Sequence, residues 1–198
     1  MGRKRNLGLA VGCLWLVVVS TSFAAVSLLV VRSAAATVLL VAIFLLAVVL
    51  VVMSIATLRA VFHVQDTTEP RPSEGRRLGR RFGAIAGVEG LVLTIVTLAC
   101  VFTRRWALIA PLDLMIVGLH FLPLAKLFNV PRYNITGALF CGIPIATMLL
   151  FPAERLVGHA LSWFVVPSVG CAAVAFITAW AGLREVARFI QVPRSNVA

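Results

Sequence analysis

Six apolar runs, each long enough to cross a bilayer, constrain this chain more than any other feature of it. A transmembrane helix needs about 20 mostly apolar residues to cover a hydrocarbon core of roughly 30 Å. The runs cover residues 7–31, 34–58, 82–102, 106–127, 133–151 and 158–183. They predict an all-α fold, a polytopic transmembrane bundle of six helices forming one domain over residues 1–198. Composition agrees, with 61% of residues apolar and 13% charged, against roughly 45–50% and about 25% in soluble domains. The first run has a rival reading as a secretory signal, because Arg3, Lys4 and Arg5 precede it and Ser22-Phe23-Ala24 offers a cleavage site. A signal's apolar region is about 7–15 residues long, and this run continues to Val31, so it is kept as a helix.

Charge then sets the orientation. The net charge of +11 raises the question of nucleic acid. A nucleic-acid binder gathers Lys and Arg on one face, whereas here they punctuate the apolar runs, so no nucleic-acid partner is expected. An inside N-terminus leaves only Arg32, Arg104, Arg105 and Arg155 outside, and puts the other fourteen of the 18 basic residues on the cytoplasmic side. By the positive-inside rule both termini are cytoplasmic. An odd number of crossings would scramble this bias, because each lost crossing swaps the side of every later loop. The expected location is the plasma (inner) membrane of a bacterium. The connection 59–81, rich in Pro, Gly, Ser and charge, reads as a cytoplasmic basic loop. At its end Arg76, Arg77, Arg80 and Arg81 form a topological anchor or meet anionic headgroups, each worth about 1 kcal/mol near such a surface. The lipid bilayer is thus the expected partner, and a homo-oligomer is compatible with it.

Ionisable side chains inside a membrane are costly and mark function by default. Three stand out: Glu89 in the third run, and Asp113 and His120 in the fourth. Asp113 and His120, seven residues apart, share a helix face and lie about 10 Å apart along the axis. Counting inward from Phe82 and from Lys126 places Glu89 and His120 at the same depth on adjacent antiparallel helices, roughly 9 to 11 Å in. If their faces meet they share a proton, and with Asp113 nearer the outside they suit a polar path. The alternative is a buried polar cluster that fixes one helix against the other at about 0.6 kcal/mol per hydrogen bond.

Small residues mark close helix approach. Gly83, Gly87, Gly90, Thr94 and Thr97 form a stripe with a literal GxxxG, and Ala138, Gly142 and Ala146 form another. Both read as packing faces. Pro111, Pro123, Pro144 and Pro167 fall in the last three runs and predict kinks. That asymmetry suggests that helices 3 to 6 form the working core and helices 1 and 2 shield it. Lys126, Asn129, Arg132 and Asn134 form a polar rim below His120, suited to a small anion or headgroup, or to an anchor belt with Tyr133. Trp106, Trp163 and Trp180 fit interfacial belts, and His63 and His159 read as solvated loop residues. The sequon Asn134-Ile135-Thr136 falls on the cytoplasmic side and is discarded.

The four cysteines, one in each of four runs, lack metal or redox spacing and read as small buried residues. No metal or cofactor is implied. H-E-x-x-H, Gly-rich phosphate loops, G-x-S-x-G and regularly spaced Arg are all missing, and no characterised family is resembled closely enough to transfer residues. Three functional classes follow. A small proton-coupled transporter or channel-like protein would have a polar cavity reaching Glu89. A lipid-modifying enzyme would open a lateral cleft near Arg132, and a scaffold or regulatory subunit would be packed throughout.

Overall fold

The computed structural model describes residues 3–31, 33–63, 72–152, 155–157 and 160–191. Its helices are α1 (Arg3–Val31), α2 (Ala34–His63), α3 (Pro72–Phe102), α4 (Ile109–Phe128), α5 (Arg132–Leu150) and α6 (Ser162–Gln191), with a 3-10 turn at Trp106–Leu108 leading into α4. All six are long and apolar enough to cross a membrane. Between α5 and α6 a short antiparallel ladder pairs Leu156 with Leu161, where the sequence suggested only loop and helix. Arg32 of the outer set, Arg71 and Arg194 of the fourteen inner basic residues, and the loop residue His159 lie outside the described residues.

The largest departure from the sequence reading is the length of α3. It starts at Pro72 rather than near Phe82, and α2 runs on to His63, so most of the expected loop 59–81 is helix. Proline at a first helical position loses nothing, since that amide has no partner within the helix. Arg76, Arg77, Arg80 and Arg81 then lie one turn apart in pairs on the same side of the helix, and all four are exposed.

Helix order in space also differs from expectation. α1 packs mainly against α6 and α2, α4 against α5, α5 against α6, and α3 against α4. The centre is therefore α1, α4, α5 and α6, with α2 and α3 on the outside. About 41% of the α1 span is buried against 6% of the α3 span, so helices 1 and 2 are not a shield around helices 3 to 6. Cys13, Val17 and Ala24 of α1 are fully enclosed by Ala172, Phe176 and Ala179 of α6 and Ala47 and Leu50 of α2. Ala24, the small residue of the suggested cleavage site, sits in the middle of that contact.

Between helices in lipid there is little hydrophobic driving force, so close packing and hydrogen bonds hold the bundle. Backbone meets backbone at the α4–α5 crossing, where a Cβ at Gly137 would lie 2.6 Å from the carbonyl oxygen of Gly118. The glycines of the predicted stripes do not supply it: a Cβ on Gly83, Gly87, Gly90 or Gly142 would meet nothing within 4 Å. None of the four touches a neighbouring helix, and Gly90 borders open space inside the bundle, because a stripe specifies that approach is possible without specifying which helix makes it. Across α5 and α6 the hydroxyls of Thr136 and Thr178 lie 2.9 Å apart. Cys13 donates to the carbonyl oxygen of Ala179 at 3.4 Å, and Cys141 to that of Met115 at 3.6 Å. The described cysteines are free thiols spent on packing.

Pro111 lies in the first turn of α4, where no hydrogen bond is lost; the interior prolines are Pro123, Pro144 and Pro167. α4 ends at Asn129, left-handed at φ 54°, whose amide donates to the carbonyl oxygen of Ala125. Asparagine tolerates this conformation better than most residues, which gives Asn129 a local reason to be there.

Candidate functional site

Helical periodicity brings one face of each of three helices together. On α3 the inward positions include Phe82, Ala86, Glu89 and Leu93; on α4 they are Val117, His120, Phe121 and Leu124; on α1 they are Gly12, Leu16, Val19 and Phe23. Spacings of three and four are those of one helix side. Because the main contacts of α3 are with α4 and the turn before it, α3 stands off α1. The space left is a cavity of about 390 Å³, closed at the back by Tyr133 and Phe140 of α5. Apart from Glu89, His120, Ser20 and Tyr133, its lining is apolar.

Glu89 and His120 meet in its wall. The His120 Nδ1 lies 3.1 Å from the Glu89 Oε2, with side chains only 7% and 13% exposed. That is ion-pair distance for a protonated imidazole, and an acid and a base this close favour a proton held between them. With a proton on Nε2 and a second one shared between Nδ1 and the carboxylate, the pair would be neutral as a unit, which is how an acid and a base are kept at low cost in apolar surroundings. The same two residues line a second space, a groove of about 450 Å³ on the outer side of α3 and α4, otherwise formed by apolar residues such as Val88, Val92 and Leu119. The pair therefore separates the interior cavity from the side of the bundle that faces lipid.

Asp113 is placed apart from them. It accepts from the Thr97 hydroxyl at 3.2 and 3.3 Å to its two oxygens, and it does not line the cavity. Thr97, read above as one of the small residues of a stripe, is the polar partner that lets Asp113 sit between α3 and α4.

The predicted rim is divided. Lys126, Asn129 and Asn134 are exposed, while Arg132 pairs with Glu185 of α6. An arginine held by a carboxylate is not available as an anion's anchor, so the rim does not converge on one ligand. Glu185 escaped the sequence reading because the sixth apolar run ends at Leu183. The available signal was its position: an acidic residue near the end of the sixth run and a basic one at the start of the fifth lie at one end of an antiparallel pair. Tyr133 also differs from the belt residue suggested above. It is 2% exposed, its hydroxyl lies against Gly12, and that hydroxyl has no hydrogen-bond partner among the described residues. It shares one side of α5 with Gly137 and Phe140, four and seven residues on, and all three are buried. Trp180 does sit at the surface, with the Arg184 guanidinium 3.8 Å above its ring.

Among the described residues no three His, Cys, Asp or Glu side chains cluster as a metal site. Comparison with protein-family models, with characterised proteins and with solved structures gives no match. The fold and its spans define a multi-pass α-helical membrane protein, and anything narrower rests on the chemistry of this cavity.

Proposed function

We propose that the chain is a small proton-coupled carrier of a bacterial plasma membrane, with both termini cytoplasmic and the Glu89–His120 pair as its working centre. The observation that carries this reading is the position of the pair, 3.1 Å apart and lining both the interior cavity and the outer groove. A substrate group that takes over Glu89 displaces His120, and the proton they shared leaves. Protonation reverses the step, so occupancy by substrate and by proton exclude each other at one carboxylate. A continuous polar channel is less well supported, because Asp113 is bound to Thr97 and lies off the cavity. An enzyme site at the rim loses its main cation to Glu185. The exposed Arg76, Arg77, Arg80 and Arg81 at the start of α3 are proposed to hold anionic headgroups, where each contributes about 1 kcal/mol.

The test is proton movement in proteoliposomes with a trapped pH indicator. Adding substrate on one side should drive proton flux for the wild type, and Glu89→Gln should abolish it by removing the exchangeable site. His120→Gln should lower it strongly. Undiminished flux in both variants would rule the pair out of transport.

A further inference from the structure

The walls around the pair are unusually rich in rings. Phe23 of α1, Phe82 of α3, Phe121 and Phe128 of α4, and Tyr133 and Phe140 of α5 all line the cavity. They are packed rather than loose: Phe121 lies 5.8 Å from Tyr133 and 5.6 Å from Phe140, and Phe82 lies 6.1 Å from Phe128, between ring centroids. We infer that this cavity binds a lipophilic organic monocation, its charged group on the Glu89 carboxylate and its apolar body among the rings. The transport of that cation rests on the carrier reading above; its binding does not.

Each alternative ligand class meets a specific obstacle. An anion would find a carboxylate and the negative faces of aromatic rings, and no Lys or Arg among the described residues that line the cavity. A metal ion would lack a set of ligands, since no such cluster exists among the described residues. A sugar or other polar metabolite would leave most of its hydroxyls against carbon, with only Ser20, Tyr133 and the pair to meet them. A neutral lipophile would suit the rings but would leave the buried carboxylate and imidazole without a purpose. A cation with an apolar body uses both: ring faces attract positive charge when water is excluded, and Glu89 neutralises it. The unpartnered Tyr133 hydroxyl is a further polar contact at the back wall. The volume of about 390 Å³ is within the roughly 300–1,000 Å³ of small-molecule sites.

Charge balance fixes the stoichiometry. The resting pair is carboxylate, proton and imidazole. A monovalent cation replaces the proton at the carboxylate, His120 is left as neutral imidazole, and one proton goes to water. The cavity keeps the same net charge before and after. The titratable groups that line it from each packed helix are Glu89 on α3, His120 on α4 and Tyr133 on α5, while the described lining residues of α1 carry none.

The experiment uses the full chain in nanodiscs of phosphatidylcholine, with empty nanodiscs as the blank for partitioning. Three probes of matched shape are titrated in weak buffer: benzyltrimethylammonium, its neutral carbon isostere neopentylbenzene, and the anion phenylmethanesulfonate. The cation should bind roughly tenfold or more tightly than either analogue, with about one proton released for each cation bound. Glu89→Gln should remove that preference. Equal binding of the neutral isostere, tighter binding of the anion, absence of any binding, or a cation preference that survives Glu89→Gln in folded protein would each overturn the inference. Selectivity among the probes is read on the wild type, so a variant that fails to fold does not blunt the test. Selective cation binding without proton release would uphold this inference and overturn the exchange step proposed above. Proton-coupled flux of a neutral or anionic probe would do the reverse.

Discussion

The crossing of α4 and α5 offers the sharpest test of how this bundle is held together, through the substitution Gly137→Ala. The new Cβ would stand 2.6 Å from the Gly118 carbonyl oxygen and 3.2 Å from the Phe121 Cβ. Ordinary contact starts near 3.4 Å, so the helices must part by roughly 0.8 Å or the Gly118 peptide must turn. Neither is cheap: backbone faces backbone here, and Phe121 is wedged against Tyr133 and Phe140. Overpacking of this kind costs about 1–3 kcal/mol, offset by up to about 1 kcal/mol from the better helix propensity of alanine. The net expectation is a loss of about 1–2 kcal/mol. Gly142→Ala on the same helix is the control. Its Cβ meets nothing within 4 Å, so the change should be neutral or stabilise by up to about 1 kcal/mol. Reversible unfolding in mixed micelles with rising SDS, followed by tryptophan fluorescence, compares the two. A difference of about 2 kcal/mol corresponds to roughly 30-fold in the unfolding equilibrium. The reasoning fails if Gly137→Ala is as stable as wild type, or if Gly142→Ala is equally damaging. The second result would mean that another chain covers Gly142.

Two further expectations concern charge. Reversing Arg132 alone to Glu should destabilise the bundle by about 1–2 kcal/mol, a value between exposed and buried ion pairs. The double reversal with Glu185→Arg should recover part of that loss in the same unfolding assay; a strictly additive result would mean that the two side chains do not interact. Replacing Arg76, Arg77, Arg80 and Arg81 by Gln should weaken retention of anionic lipid by about 1 kcal/mol for each arginine, read as the fraction of protein carrying phosphatidylglycerol in native mass spectra. An unchanged fraction would dismiss the headgroup role.

What could be read from the sequence follows from what apolar pattern encodes. Run length against bilayer thickness marks the spans, because a buried backbone in lipid must satisfy its own hydrogen bonds. Counting residues from Phe82 and Lys126 put Glu89 and His120 at one depth, and their side chains meet across α3 and α4. Which helices are central was not legible, since a lipid-facing leucine and a protein-facing one are equally apolar. That is why α1 passed for a shield and α3 for a core helix. The start of α3 was hidden because Arg76 to Arg81 lack the apolarity that marked helices elsewhere, although arginine is a good helix former. The Gly118–Gly137 contact joins one glycine from each of two helices and leaves no stripe in either. Arg132 and Glu185 lie far apart in the chain, and only the antiparallel arrangement of α5 and α6 brings them together.

The central claim is that Glu89 and His120 hold one proton between them. The protein contains three histidines, so uniform 15N-histidine labelling in lipid bilayers gives a sparse solid-state NMR spectrum in which His120→Asn identifies one set of signals. We predict that Glu89→Gln moves both ring nitrogens of His120 while His63 and His159 hold their positions, and that saturating benzyltrimethylammonium moves His120 in the wild type to the pattern of a neutral imidazole. His120 signals that ignore both perturbations would contradict the shared proton, and with it the exchange on which the carrier mechanism depends.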